Sequence, residues 1–289
     1  MNKVKRTFII GEEWLYYKIY CGNHSSDQIL INEIQIIVAK LFKQNLIDQW
    51  FFIRYKDPNN HLRIRFHLTK LDAIQKIIQL IKLHLSNLVK NDIVYDIELT
   101  TYKREIERYG ENTIIESEKL FYHNSKKVVE LIKNLAPEYD EIARIFSSLK
   151  MIDDLLKYFE IPLEVSQEFV QNMYLKFQLE HNVQRENVKK LSELYTKNKP
   201  DILLFISKQQ DPDYLDGLTE IIKIKKEEIK IIKSILTKTS KDNKINSLEL
   251  IDSFVHMNIN RIFRSKQREY ELLCYDFMNR YYKSIRYKK

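Results

Sequence analysis

The sequence predicts an α+β fold, in which a small, mostly antiparallel sheet from the N-terminal third is followed by a large helical part packed on it. Strand-like segments rich in aromatic and β-branched residues occur only before Gly110. Beyond that residue, apolar positions recur at helical spacing almost to the C-terminus. Four Gly and five Pro are too few for a sandwich rich in tight turns or for a disordered chain.

We expect a single domain over residues 1–289, long enough to bury a sizeable core. Its sheet-containing part covers about 1–110 and its helical part about 111–289. If the chain has a domain boundary, the sequence places it near 136–140, around Ala136-Pro137.

The first predicted elements are a strand and a helix. Residues 6–22 are aromatic and β-prone and form the strand, and Ser25, Ser26 and Asp27 then offer an N-cap. The apolar positions of the helix that follows share one face: Leu30, Ile34, Ile37, Val38 and Leu41.

A β-hairpin comes next. Residues 48–55 are strongly β-forming, Asp57-Pro58-Asn59-Asn60 has turn chemistry, and the second strand runs to residue 68. An amphipathic helix over 71–90 and a strand over 93–105 complete the sheet-containing part.

The remainder of the chain is predicted to be helical. The expected helices cover 113–134, 138–160, 164–190, 191–206, 216–239, 247–264 and 266–286. Dense charge of both signs over 221–244 is typical of a solvated helix face, and a solvated tail explains the basic residues 283–289.

The second strand of the hairpin carries a nitrogen base at every second position. One face is apolar, and the other presents the row His61, Arg63, Arg65 and His67. Because guanidinium forks match carboxylate or phosphate, this row indicates an anion-binding platform.

An ordinary structural explanation of this row stays open. The strand could be exposed and simply carry solubilising charge. Asp96 and Glu98 could also neutralise the row as cross-strand partners.

Two further segments carry candidate chemistry. Residues 102–110 bear Arg104 and Arg108 where a strand runs into a glycine turn. On a later helix, Asp252, His256 and Asn260 stack at i, i+4 and i+8, where the carboxylate could orient the imidazole. The apolar stripe beside them is Leu248, Ile251, Val255, Ile259 and Ile262. A lone helical histidine is nevertheless more often structural than catalytic.

Composition bounds the partners and the compartment. A net charge of +8 permits a nucleic acid, an acidic peptide or an anionic ligand. Cys21 and Cys274 lack metal spacing and are expected to be free thiols in a reducing cytosol. We see no signal peptide and no apolar run long enough to span a bilayer, so a cytoplasmic protein is expected. No phosphate-cradling glycine loop, HExxH or CxxC motif is present.

Taken together, five segments resemble the C-terminal elimination domain of class I lantibiotic dehydratases, which also occurs as a stand-alone protein in thiopeptide-type bacteriocin pathways. The segments are FIIGEEWLYYKIYCG, WFFIRYKDPNNHLRIRF, EIERYG, SEKLFYHNS and VHMNINR. Two positions depart from the family pattern. Glu111 replaces a usual glycine after RYG, and Asn124 replaces a usual aspartate.

The resemblance implies a lyase that expels glutamate from glutamylated Ser or Thr of a precursor peptide and leaves dehydroalanine or dehydrobutyrine. Arg63 and Arg65 would clamp glutamyl carboxylates, and Arg108 would stabilise the leaving ester oxygen or the enolate. His256 would be the acid or base. Glu111 places a carboxylate near the presumed anion site.

The same resemblance implies further contacts and partners. Arg261, Asn260, His61 and Arg104 would bind substrate, with no metal and no organic cofactor. A separate tRNA-dependent glutamylating protein would act on the precursor peptide first. A homodimer is compatible with these expectations, whereas direct DNA binding is not expected.

Two other functions stay open at this level. Similar stand-alone proteins condense two dehydroalanines by a formal [4+2] cycloaddition to a pyridine, a reaction that needs no carboxylate clamp. A non-catalytic peptide- or RNA-binding subunit would instead use the basic row for phosphates or an acidic leader. The elimination hypothesis requires Arg63, Arg65, Arg108 and His256 to line one pocket.

Overall fold

The chain forms two compact units. The computed structural model describes the residues 4–71, 73–241 and 246–286. The sheet unit comprises Met1–Lys133 and Ser234–Asn246, and the helical unit comprises Asn134–Lys233 and Ser247–Lys289. Residues 242–244 of the predicted charged face and 287–289 of the predicted tail lie outside the described ranges.

Antiparallel pairing organises the strands of the sheet unit. The strands in the described ranges are β1 (Thr7–Phe8), β2 (Trp14–Cys21), β3 (Ile47–Lys56), β4 (Asn60–Leu68), β5 (Val94–Thr100) and β6 (Tyr102–Lys103). Four of them form a sheet in the order β3-β4-β2-β5, and β1 pairs with β6 in a separate ribbon. The predicted α+β class and the predicted hairpin, now β3 and β4, are confirmed. β2 and β4 are the interior strands, so each has a neighbour on both sides.

Helices of the sheet unit pack on both faces of this sheet. They are α1 (Asn23–Ile29), α2 (Gln35–Lys43), α3 (Ala73–Lys90), α4 (Ile106–Tyr109) and α5 (Ile114–Asn134), with a π-helical turn at Leu30–Ile34 between the first two. The predicted apolar stripe is buried, as expected from its spacing: Leu30, Ile34, Ile37, Val38 and Leu41.

The predicted N-cap is wrong. The contacts of its residues show which face of the sheet α1 covers. The helix begins earlier, at Asn23, so Ser26 and Asp27 lie inside it. The Arg54 guanidinium donates hydrogen bonds to both side chains, and its Nη2 lies 2.5 Å from Asp27 Oδ1. Arg54 stands opposite Leu62, so α1 lies on the apolar face of β4. The basic row of β4 projects from the opposite face.

The helical unit is built from helices alone in the described ranges. They are α6 (Asp140–Tyr158), α7 (Leu163–Glu180), α8 (Arg185–Ser207), α9 (Leu218–Ile222), α10 (Lys226–Thr239), α11 (Ser247–Ile262) and α12 (Gln267–Arg286), of which α10 runs on into the sheet unit. α12 packs along α7, and α6 contacts α8, α11 and α12. Four members of the predicted stripe of α11, from Ile251 to Ile262, are fully buried.

Two predicted helix boundaries are wrong. The helix expected over 164–190 ends at Glu180, because Asn182 adopts a left-handed conformation with φ of 46° before α8 begins at Arg185. The helix expected over 216–239 is broken where Lys223 turns to an extended ψ of 146°.

Candidate active site

The basic row of β4 faces aromatic and cationic neighbours on both sides. Arg65 stands opposite Phe51 of β3 and Tyr16 of β2. Arg63 stands opposite Lys18 of β2. Side chains of directly opposed residues project from the same face, so these neighbours surround the guanidiniums.

Arg65 is a buried cation that forms no ion pair with any carboxylate of the described residues. Only 6% of the residue is exposed, and the guanidinium carbon lies 4.3 Å from the ring centre of Tyr16, 4.9 Å from that of Tyr102 and 5.1 Å from that of Phe51. Its Nε and Nη1 are buried and have no hydrogen-bond partner among the described residues. Ring faces attract a cation but leave its N–H donors unsatisfied. Arg65 is therefore poised to donate to an anion.

The expectation of an exposed basic row is wrong in part, because His61 and Arg65 are both buried. β4 is an interior strand, and the residues opposing these two on β2 and β3 are large and aromatic, so the side chains lie between rings. A merely solubilising role is excluded for buried groups.

Arg63 and His61 form a second arrangement on the same strand. Arg63 Nε donates to His61 Nε2 at 3.1 Å, and His61 Nδ1 lies 2.9 Å from the carbonyl oxygen of Asn59. The imidazole therefore carries its proton on Nδ1. The Arg63 guanidinium stacks on Tyr55, with its carbon 3.4 Å from the ring centre. Within the described ranges no carboxylate forms an ion pair with it.

Burial lowers the pKa of His61, and the positive charges of Arg63 and Lys18 lower it further. The backbone carbonyl of Asn59 opposes this effect. A neutral imidazole accepting from Arg63 suits both groups, because it fixes the guanidinium without cancelling its charge.

The proposed neutralising partners of the row lie elsewhere. β5 pairs with β2 and not with β4, so Asp96 and Glu98 are not cross-strand neighbours of the row. Glu98 instead accepts from Lys18 Nζ at 2.7 Å and from the Tyr20 hydroxyl at 3.1 Å. At the other end of the row, His67 Nδ1 pairs with Asp48 at 2.6 Å.

Arg104 is a buried cation with a full set of partners. Its Nε and Nη2 donate to the two oxygens of Glu118 at 2.8 and 2.6 Å, and its Nη1 donates to the carbonyl of Lys5. The Tyr102 hydroxyl donates to the same carboxylate at 2.7 Å. This pair joins the β6 region to α5, and the substrate role of Arg104 stays a prediction.

Arg108 lies on the short helix α4, just before the glycine turn. Its side chain is 35% exposed and lies 3.7 Å from the carboxylate of Glu105. Gly110 takes φ of 77°, which a residue with a side chain rarely adopts and which ends the helix here. Glu111, which replaces the glycine that the resemblance leads one to expect here, is exposed.

The helical unit holds the His256 cluster. His256 Nδ1 lies 2.6 Å from Glu271 Oε1, and the Glu271 side chain is 1% exposed, whereas that of His256 is 26% exposed. A buried carboxylate on Nδ1 fixes the tautomer that leaves Nε2 as the second functional nitrogen. Nε2 has no hydrogen-bond partner among the described residues.

The carboxylate predicted to orient His256 was Asp252, and this is wrong. Asp252 instead lies 3.6 Å from Lys176 and accepts from the Tyr275 hydroxyl at 3.5 Å. Glu271 was missed because it lies on α12, and the contact between two helices cannot be read from spacing within one of them.

Arg268 holds Glu271 in place. It sits one turn before Glu271 on α12 and donates to Oε2 at 2.8 Å. Its other donors reach Glu180 of α7, and the guanidinium carbon lies 4.3 Å from the ring centre of Phe177. The i, i+3 spacing of Arg268 and Glu271 was the sequence signal for this pair, although it gave no link to His256.

The remaining predicted substrate contacts are less accessible. Arg261 is fully buried and donates from Nη1 to the carbonyl of Met257 at 3.3 Å. Asn260 is half-buried. The substrate roles of Arg261 and Asn260 stay predictions. His256 belongs to the helical unit, whereas Arg63, Arg65 and Arg108 belong to the sheet unit, so their action on one substrate also stays a prediction.

The described part of the chain contains neither a cluster of metal-ligating side chains nor a membrane-spanning helix. There, His, Cys, Asp and Glu side chains form no group of three or more that could hold a metal ion. No helix in these ranges has both the length and the apolar character that crossing a membrane requires. Both cysteines are free and buried.

The motifs of this chain occur in the order and spacing of a known protein family. The model of the family described as "Lantibiotic biosynthesis dehydratase C-term" matches residues 14–282, nearly the whole chain. The chain belongs to this family. Among relatives, the subtilin biosynthesis protein SpaB of Bacillus subtilis is 28% identical over 269 residues, which cover 91% of this chain and 24% of SpaB. This member of the family spans about a quarter of the length of the curated relatives it matches.

Solved structures share the fold of this family member. The tRNA-dependent lantibiotic dehydratase MibB from Microbispora sp. 107891 superposes with a TM-score of 0.71 at 18% identity, covering 96% of this chain and 29% of MibB. The pyridine synthase TbtD from thiomuracin biosynthesis superposes with a TM-score of 0.63 at 10% identity, covering 94% of this chain and 100% of TbtD. At these identities the likeness establishes the fold alone.

Proposed function

We propose that this chain is a peptide-modifying lyase that eliminates glutamate from glutamylated Ser or Thr residues of a precursor peptide. One observation carries the proposal: Arg65 is buried between three aromatic rings with two donor nitrogens unsatisfied. Leaving such donors unpaired costs free energy, which a bound anion would recover.

Arg63 strengthens the case for a carboxylate ligand. It projects from the same sheet face two residues away, roughly 7 Å along the strand, and is not neutralised by a described carboxylate. Two neighbouring guanidiniums repel each other unless an anion lies between or above them. The glutamyl group offers a side-chain carboxylate, and its ester becomes a second carboxylate as it leaves.

The elimination needs a base as well as cations. His256 Nε2 takes the Cα proton of the esterified residue, the Cα–H electron pair forms the Cα–Cβ double bond, and the Cβ–O bond breaks. The departing electrons become the carboxylate of glutamate, which the guanidiniums stabilise. Glu271 holds the imidazole through Nδ1 and stabilises the imidazolium that forms.

The sheet face fits elimination better than a formal cycloaddition. Condensing two dehydroalanines releases no carboxylate, so a buried unsatisfied guanidinium has no task in that reaction. A subunit that binds an extended nucleic-acid backbone would instead need a row of exposed cations, and His61 and Arg65 of this row are buried.

The proposal assigns two partners. The substrate is a precursor peptide, and a tRNA-dependent glutamylating protein supplies its ester. The peptide's own contacts with Arg261, Asn260 and Arg108 belong to this proposal and follow from the family resemblance.

The direct test offers the purified chain a precursor peptide already carrying glutamyl esters and follows the peptide by mass spectrometry. We expect the adducts to disappear, with release of free glutamate and formation of dehydrated residues. A parallel reaction contains the same peptide with dehydroalanines already installed.

Three results would contradict the proposal. Adducts that persist undiminished would exclude elimination by the chain. Macrocycle formation with leader release from the dehydroalanine peptide would assign the cycloaddition instead. Tight binding that falls steeply with salt, without turnover, would assign a binding subunit.

A further inference from the structure

This inference rests on the proposed function and concerns how the leaving group is recognised. An amino acid delivered from a tRNA is linked through its α-carbonyl, so a glutamyl ester retains a free α-ammonium. The group therefore carries a cation as well as its side-chain carboxylate. Guanidiniums alone would bind the carboxylate and would repel the ammonium.

A carboxylate lies on the same sheet face as the arginines. Lys18 of β2 stands opposite Arg63 on one side and opposite Glu98 of β5 on the other. Arg63, Lys18 and Glu98 therefore form a row across three strands and project from one face. Adjacent strands are about 4.8 Å apart, so Glu98 lies roughly 10 Å from Arg63 at the backbone, and both side chains reach inwards.

Glu98 is held in place by two donors. Lys18 Nζ donates to Oε2 at 2.7 Å, and the Tyr20 hydroxyl donates to Oε1 at 3.1 Å. These hydrogen bonds, that from Lys18 first, lower the pKa of Glu98, so the carboxylate is ionised at neutral pH. The side chain is still 42% exposed, and each carboxylate oxygen can accept a second hydrogen bond.

We propose that Glu98, positioned by Lys18 and Tyr20, accepts the α-ammonium of the glutamyl group and so selects an amino-acid ester over a plain dicarboxylic ester. The division of labour is then electrostatic: Arg65 and Arg63 bind the carboxylates, and Glu98 binds the ammonium. An ordinary cross-strand pair with Lys18 would not call for the additional hydroxyl of Tyr20 on the other oxygen.

The test compares two synthetic peptides that differ by one amino group. One carries an L-glutamyl ester on serine, and the other carries a glutaryl ester, which keeps the side-chain carboxylate and lacks the ammonium. The measured quantity is the ratio of kcat/KM for elimination from the two peptides. Wild-type protein should favour the glutamyl ester by roughly 10- to 100-fold, as expected for one charged hydrogen bond.

Two variants locate the effect. Glu98→Gln should lower the ratio to the intrinsic difference between the two esters, of which the glutamyl ester releases the better leaving carboxylate. Asp96→Asn removes a carboxylate from the same strand and face and should leave the ratio at the wild-type value.

The outcomes separate this inference from the function on which it rests. Equal elimination from both esters by wild-type protein, or an unchanged ratio in Glu98→Gln, overturns the role of Glu98 and leaves elimination standing. Adducts left intact on both peptides by wild-type protein overturn the proposed function, and the inference falls with it.

Discussion

At the scale of single residues, two buried arginines of the sheet unit have opposite surroundings. Arg104 is matched by Glu118, Tyr102 and a backbone carbonyl. Arg65 has aromatic rings and no counter-ion among the described residues. A protein retains an unmatched buried cation at a cost in stability, and we therefore predict that Arg65 serves binding, whereas the ion pair of Arg104 stabilises the fold.

This contrast predicts opposite effects of the same substitution. Arg65→Met should leave the free energy of unfolding within about 1 kcal/mol of wild type, because it removes unsatisfied donors and keeps an apolar side chain between the rings. Arg104→Met should lower it by about 3–5 kcal/mol, because the Glu118 carboxylate stays buried without its cation. Denaturant unfolding of the two variants measures both values. A large destabilisation by Arg65→Met would show that Arg65 is structural.

The lowered pKa of His61 predicts a pH effect on stability. Its folded-state pKa lies below the value of about 6.5 found in unfolded chains, so the unfolded state binds the proton more readily. Stability should therefore fall as pH decreases below about 6.5 towards the lowered folded-state value.

Thermal unfolding of wild type and His61→Gln between about pH 5 and pH 8 isolates this contribution. Glutamine can still accept from Arg63 but does not titrate, so the variant should lose less stability on acidification. Parallel curves for the two proteins would show that His61 is not proton-linked to folding.

At the scale of elements, sequence patterns predicted what local periodicity determines. The alternation in HLRIRFHL gave the strand and its apolar face, and the stripe from Leu30 to Leu41 gave a buried helix face. The patterns did not give the place of β4 inside the sheet, which depends on pairing with β2 and β3. The burial of Arg65 follows from that pairing, so the alternation within β4 alone could not predict it.

The pairing of α11 with α12 yields a prediction about Glu271, a positioning residue that acts through His256. Glu271→Gln should lower kcat for elimination by roughly 100-fold or more with KM little changed, because the amide no longer fixes the tautomer and charge of the imidazole. Steady-state kinetics on the glutamylated peptide measure this split.

Glu180→Gln is the matched control. Glu180 also binds Arg268 but does not touch His256, and its side chain is 40% exposed. It should keep kcat within a few-fold of wild type. Equal losses in the two variants would show that the whole ion-pair cluster, and not the contact with His256, matters.

At the scale of the whole molecule, the sequence motifs carried the family assignment, and the match over residues 14–282 confirms it. Family membership is a property of the order and spacing of motifs, which a sequence displays directly. The partners of the candidate residues are tertiary, as Glu271 and Tyr16 illustrate, and the sequence did not supply them. The meeting of His256 with the arginines on one substrate stays a functional prediction.

The most direct test of the account is the rate at which the Arg65→Met protein removes glutamate from a purified glutamylated peptide, followed by mass spectrometry. Because the leaving carboxylate would lose its buried cation, we expect the glutamyl adducts to persist while the variant remains folded. Elimination at the wild-type rate by this variant would contradict the claim that the Arg65 guanidinium binds the leaving glutamate.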